Sequence, residues 1–242
     1  AMTMKLYRMT NLTPTYVTWD DHDYGMNDGG KNYKHKEDAK KIFKAFFPIY
    51  KNDYLTPSLG VGSVLKISKQ SFYFLDGRYF RDRKGLETGF HLGSKQRSWL
   101  KADLAKSSNM NWLIMGDQFF GAYHPFESFE GLHPVEFKKF KNELKSLDKK
   151  YVFLSGDRHL VEVMKIDKKE VGVDTLEYTV SGTHTKTYPG ALERDPNPRR
   201  LDGLDGRENY GIFEINEAQA QTKITFKAYT LEGEIINRVD SI

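Results

Sequence analysis

Trp19-Asp20-Asp21-His22-Asp23-Tyr24-Gly25-Met26-Asn27-Asp28-Gly29-Gly30 places four carboxylates and one imidazole within nine residues, directly after the apolar segment Tyr16-Val17-Thr18-Trp19. Like charges at that density repel. A bound cation is the usual remedy, because carboxylates and neutral imidazole are its ligands. The flanking glycines allow tight turns and close backbone approach. A solvated Asp/Gly-rich turn has the same composition, so this stretch gains weight only from residues further along the chain.

Apolar segments that end in polar residues recur along the chain. Residues 14–19 are predicted as a strand ending in Asp20 to Asp23. Phe74-Leu75 leads into Asp76-Gly77-Arg78, and Trp112 to Met115 into Gly116-Asp117-Gln118. Tyr151 to Leu154 leads into Ser155-Gly156-Asp157-Arg158-His159, and Tyr178 to Val180 into Ser181-Gly182-Thr183-His184. Turns favour Asp, Gly and Ser, so one such ending is ordinary. Five suggest a ligand site, because α/β sheets bind ligands beyond the carboxyl ends of their strands.

Helical apolar spacing predicts helices over 37–50, 94–106 and 133–147, the second with Ser94 as N-cap. Paired strands are expected at 63–68 and 71–75, turning at Lys69-Gln70. Further strands are expected at 111–115, 151–154, 160–166, 176–180, 210–215, 223–229 and 234–239. Residues 183–207, rich in proline and charge, read as a long loop or lid. The alternation of helices and strands predicts one α/β domain over residues 1–242 with mixed sheets.

The 242 residues are 38% hydrophobic and 14% aromatic, enough for a sizeable core. The net charge of +4 is spread thinly, so a nucleic-acid partner is not expected. The absence of cysteine excludes disulfides and thiolate metal sites, leaving oxygen and nitrogen ligands. No apolar run approaches the ~20 residues of a membrane span, and no signal peptide is visible.

Asp20, Asp21, Asp157 and His159 are the candidate metal ligands, suited to Fe, Mn, Zn or Ca. His22 is a candidate proton donor to a leaving group. Arg78 is a candidate anion clamp with Arg81, or a structural partner of Asp76. Tyr24 is either a substrate contact or an aromatic packing residue. Metal-assisted water attack with an Arg clamp suits phosphoester hydrolysis. His124, His133 and His184 read as loop or surface histidines, and His35 and His91 carry no assignment.

The run from Trp19 to Asp28 resembles the signature of the alkaline phosphatase D-type (PhoD-like) phosphatases, of the calcineurin-like metallophosphoesterase superfamily. The resemblance continues through Leu75-Asp76-Gly77-Arg78-Tyr79-Phe80-Arg81-Asp82 and Leu92-Gly93-Ser94-Lys95-Gln96-Arg97-Ser98-Trp99-Leu100, then Phe153-Leu154-Ser155-Gly156-Asp157-Arg158-His159. It implies a four-layer αββα sandwich and an extracytoplasmic metal-dependent hydrolase of phosphomonoesters or phosphodiesters. Asp21 then stands where the superfamily has a metal ligand and His22 where it has its catalytic His. Asp157 and His159 match the Gly-His-x-His ligands, and Gly116-Asp117-Gln118 falls loosely where another His ligand is expected.

One departure stands out. The superfamily's first two metal motifs precede its Asn-His motif, yet the nineteen residues before Asp20 contain no Asp, Glu or His. The resemblance therefore implies missing N-terminal strands and an impaired or mononuclear metal site. Two other classes stay open: a catalytically degenerate phosphatase-like module that binds carbohydrate or protein, which the missing ligands favour, and a nucleic-acid phosphodiesterase, which the modest basic charge permits but no basic-aromatic stripe supports.

Overall fold

The computed structural model describes residues 14–49, 55–86, 88–183, 185–217 and 222–242. His184 and the end of the helix expected over 37–50 lie outside them. The elements run α1 (Asp21–Tyr24), α2 (Lys36–Phe46), β1 (Leu55–Pro57), β2 (Ser63–Ile67), β3 (Gln70–Phe74), α3 (Ser94–Lys106), β4 (Met110–Ile114), α4 (Phe129–Leu132) and α5 (Pro134–Leu147). They continue with β5 (Tyr151–Ser155), β6 (Val161–Ile166), α6 (Lys168–Val171), β7 (Thr175–Val180), α7 (Ala191–Arg194), β8 (Arg200–Leu204), β9 (Tyr210–Asn216), β10 (Lys223–Thr230) and β11 (Gly233–Ser241).

A large mixed sheet has the order β1-β2-β3-β4-β5-β7-β6-β8. Its centre, β3, β4, β5 and β7, is parallel, so the carboxyl ends of four strands share one edge. The buried runs Asn111-Trp112-Leu113 and Val152-Phe153 suit parallel strands covered on both faces. On one face α3 and α5 set Leu100, Leu104, Phe137, Phe140 and Leu144 against Tyr73, Leu113 and Phe153. Each such buried side chain contributes roughly 1.5–3 kcal/mol.

On the other face Trp112, Val163 and Tyr178 meet Ile224, Phe226 and Ile236 of the antiparallel sheet β11-β10-β9. This is the expected α/β sandwich, with one mixed sheet and, where a second mixed sheet was expected, an antiparallel one. Tyr210, Ile212 and Val239 are exposed on the outer side of the small sheet. Of the two expected helical layers, the described residues supply the one on the large sheet.

Several local expectations change. Residues 14–19 form no strand. Thr18 Oγ1 donates to the Leu75 carbonyl at 2.7 Å and Trp19 Nε1 to Asp76 Oδ1 at 2.7 Å. Side-chain hydrogen bonds, not a strand ladder, fasten the end of the segment. Ile67 pairs with Gln70, so the β2–β3 turn is Ser68-Lys69, one residue earlier than expected, with Ser68 at φ +53°. Gly93, not Ser94, holds the N-cap of α3 at φ +76°, where a Cβ would meet Phe80 Cβ at 2.8 Å.

Residues 183–207 are not simply loop. They contain α7 and β8, and β8 pairs antiparallel with β6. Arg200 fastens the stretch: Nε donates to Glu162 Oε1 at 2.6 Å, Nη1 to the Leu192 carbonyl at 2.8 Å and Nη2 to the Asp195 carbonyl at 2.7 Å.

Candidate functional site

At the shared carboxyl edge, the Gly116-Asp117 and Gly156-Asp157 turns follow the adjacent strands β4 and β5. The Gly156 amide donates to the Gly116 carbonyl at 2.8 Å, so the two turns touch. The Asp20 side chain lies against Gly116, where a Cβ would stand 2.7 Å from Asp20 Cγ. Only glycine admits that approach.

The Asp21-His22-Asp23-Tyr24 run forms a single helical turn. The Asp20 amide donates to Asp23 Oδ2 at 3.2 Å, so Asp23 serves the turn. Buried Asp21 accepts from the His22 amide at 2.7 Å and the Asp28 amide at 3.1 Å. The turn thus points Asp21 inward and leaves His22 exposed.

Among the described residues, carboxylate oxygens of Asp20, Asp21 and Asp157 come within 4.8 Å of one another, and so do those of Asp21, Asp28 and Glu127. Both groups are compatible with metal binding. Burial pushes Asp20 up from the usual carboxylate range, against the pull of the Arg78 guanidinium. Burial, reinforced by the negative charge of Asp20 and Asp117, pushes Asp157 up as well. Both acids are crowded and poorly solvated, and among the described residues Asp157 has no ion-pair partner.

Asp157 borders a cavity of about 550 Å³ whose wall also includes Asp21, His22, Glu127 and His159; Asp20 lies behind that wall. Five non-glycine residues among those described have positive φ, and three of them, Asp28, Asp157 and His159, line this cavity. Left-handed backbone at such residues costs free energy and concentrates at functional sites.

The sequence candidates separate here. Asp20, Asp21 and Asp157 converge. His159 lines the cavity but belongs to neither carboxylate group. Its Nδ1 faces the Lys186 carbonyl, with Thr185 Oγ1 at 3.3 Å.

Arg78 is fully buried and is not part of the cavity wall. Its Nε donates to Asp20 Oδ1 at 2.5 Å, and its Nη1 faces Glu127 Oε2 at 2.6 Å without good hydrogen-bond alignment. Its guanidinium therefore has carboxylate partners where the sequence reading gave it an anion. From Arg78, Asp76 takes only the backbone amide, at 3.0 Å. Tyr24 is buried beside Trp19 and Tyr33, and its hydroxyl donates to the Gly30 carbonyl at 2.9 Å; packing is its observed role.

Behind the cavity lies a sealed network. Arg81 Nη1 reaches Glu127 Oε1 at 2.8 Å and its Nη2 reaches Asp117 Oδ2 at 2.5 Å. His91 Nε2 is 3.1 Å from Asp117 Oδ2, and its Nδ1 is 3.2 Å from His133 Nδ1. Burial opposes ionisation of Asp117, but the charge of Arg81, with hydrogen bonding to His91, outweighs it and holds the carboxyl far below its usual range. His124 and His133 are buried, not on the surface. His124 Nδ1 accepts from the Phe126 amide at 3.1 Å and its Nε2 lies 2.9 Å from Gln118 Oε1, fixing the loop that carries Phe126 and Glu127.

Sequence reasoning missed Glu127, which two arginines hold at the cavity, and the wall residues Lys84, Phe126 and Arg194. None follows an apolar strand, so the pattern that revealed the other residues has no purchase on them.

No protein-family model and no curated protein matches the sequence. Among solved structures, one described as the structure of PhoD superposes with a TM-score of 0.58 at 17% identity. The match covers 93% of this chain and 54% of that one, so the chain spans about half the length of this structural neighbour. The chain shares the fold of PhoD over nearly all of its length.

Proposed function

We propose that this chain is a metal-dependent phosphoester hydrolase whose centre is the Asp20, Asp21 and Asp157 cluster. The observation that carries the reading is the convergence of these three carboxylates within 4.8 Å, two of them, Asp21 and Asp157, on the cavity wall. The donor set fits a hard cation: all atoms are carboxylate oxygens, and the upward push on Asp20 and Asp157 is what a cation would relieve. Asp20, Asp21 and Asp157 would hold it, with Asp28 and Glu127 sharing Asp21 in a second group. Fe, Ca, Mn and Zn all accept such ligands.

When bound, the cation supplies Lewis acidity toward a phosphoryl oxygen and lowers the pKa of water. The chain supplies the remainder. The cavity, about 550 Å³, suits a small phosphorylated molecule. His22, exposed on its wall, carries a proton for the departing alkoxide. Arg78, from below, orients Asp20 and Glu127 and offsets part of their charge. The resemblance supports an extracytoplasmic setting. Among the described residues, no helix is long and apolar enough to cross a membrane.

The test is hydrolysis of an aryl phosphate and a bis-aryl phosphate by the chelator-stripped chain, with Mn, Ca or Fe added back and metal content measured. Metal-restored turnover of either compound supports the reading, and the preferred compound separates monoesterase from diesterase. Stoichiometric metal binding without turnover favours the degenerate binding module.

A further inference from the structure

The cavity has a basic and aromatic wall as well as its carboxylates. Phe126, Arg158, Tyr188, Arg194 and Lys84 line it, the Lys84 amine 3.5 Å from the Pro125 carbonyl. Buried Asp195 organises this wall. It accepts from Arg158 Nη2 at 2.9 Å and from Arg194 Nη2 at 2.8 Å, with Arg194 Nε at 3.3 Å. Both guanidiniums also lie over the Phe126 ring, at 4.6 Å and 5.2 Å from its centre. Two arginines share one carboxylate, which leaves one positive charge in excess before Lys84 is counted.

Two further observations mark this charge as available to a ligand. Arg158 is 7% exposed and its Nε has no hydrogen-bond partner. The Arg194 side chain is 52% exposed on the cavity side of α7. The segment that presents Arg194 is built in. The Leu192 amide donates to Asp205 Oδ2 at 2.7 Å, and Arg200 ties the Leu192 and Asp195 carbonyls to buried Glu162.

We infer that Arg194, supported by Arg158 and Lys84, reads a second phosphate on the leaving-group side of the substrate, so that the preferred substrate is an alcohol carrying two phosphates. The inference rests on the phosphoester reading of the neighbouring carboxylates. A guanidinium with donors left over after meeting one carboxylate suits phosphate geometry. The aromatic face beneath it restricts its rotation and lowers the entropy lost on binding. A substrate with one phosphate engages the carboxylate end alone.

The test uses a matched pair, 3-hydroxypropyl phosphate and propane-1,3-diyl bisphosphate, with the metal-loaded chain. Binding is measured by calorimetry and phosphate release is followed in parallel. The native chain is expected to bind the bisphosphate about tenfold more tightly than the monophosphate, the scale of one charge-assisted contact. Arg194→Gln should remove most of that preference, and Arg194→Lys should restore part of it. An unchanged preference in Arg194→Gln, or equal weakening of both compounds, overturns the inference while leaving the phosphoesterase reading intact. Absence of phosphate release from both compounds under every metal counts against that reading instead, and the binding preference still decides the role of Arg194.

Discussion

Two Gly-Asp dipeptides end neighbouring parallel strands and are used in opposite ways. Asp117, after β4, is sealed from solvent and matched by Arg81 and His91, which hold it ionised. Asp157, after β5, faces the cavity in left-handed backbone with other carboxylates for company, and burial pushes it up. The residue type, the preceding glycine and the strand edge are the same; the supply of positive charge differs. Asp117 is satisfied by the fold, while Asp157 has no ion-pair partner among the described residues. A crowded acid without a counter-charge is the stronger sign of function than a well-paired one.

The sharpest way to break this contrast is to neutralise each acid in turn. Asp157→Asn is expected to lower metal-restored phosphoester hydrolysis by at least about 100-fold, beyond the ~10–100-fold typical of an outer partner of a metal ligand. The same change relieves repulsion, so the metal-free chain should melt no lower than the native one. Asp117→Asn should do the reverse to stability, costing about 3 kcal/mol in urea unfolding, because buried Arg81 loses one of its two carboxylate partners and keeps only Glu127. Equal stability losses in the two variants would remove the distinction between a satisfied and an unsatisfied acid.

A third substitution tests the contact between the two turns. In Gly116→Ala the new methyl would stand 2.7 Å from Asp20 Cγ and push that carboxylate away from Asp21 and Asp157. Overpacking of this kind costs about 1–3 kcal/mol. Metal affinity should fall more than stability does, and titration calorimetry alongside unfolding measures both. A stability loss with unchanged metal affinity would separate Asp20 from the centre.

Much of this arrangement was legible because apolar segments punctuated by Gly and Asp mark strand ends whatever the tertiary structure. Asp157 was found that way, Asp21 came from the crowding of acids after Trp19, and the turn joining β2 and β3 was placed to within one residue by the strand patterns on either side. The same rule erred at residues 14–19, where Thr18 and Trp19 make side-chain bonds that mimic a strand without a ladder. It erred again at 183–207, where β8 depends on β6, which lies more than thirty residues earlier. Charge pairing was the least legible feature. Arg78 is close to Asp76 in sequence, yet its guanidinium meets Asp20, 58 residues earlier, and Glu127, 49 residues later. Nothing local distinguishes those partners from any other acid.

The smallest expected effect concerns the histidines of the sealed network. Burial, reinforced by the charge of Arg81, lowers His91 to about 3 and His133 to about 4 from 6.5. The unfolded chain therefore takes up protons below pH 6.5 that the folded chain refuses. The stability these groups contribute is fully present above 6.5 and declines as pH falls toward 4 and then 3, by at most about 1.4 kcal/mol per pH unit per histidine. Glu177 acts in the opposite sense: burial raises it from 4.5 to about 7, so its effect weakens the fold as pH rises through that window. The native profile mixes the two, and a variant separates them. His133→Asn removes one histidine term, and its urea midpoint should gain on the native one steadily from pH 6.5 down to pH 4.5. His133 Nε2 has no hydrogen-bond partner, so no bond at that atom is lost. A constant gap across that range would mean that His133 is protonated as readily inside the network as outside it, and that the region behind Asp117 is less sealed than its burial shows.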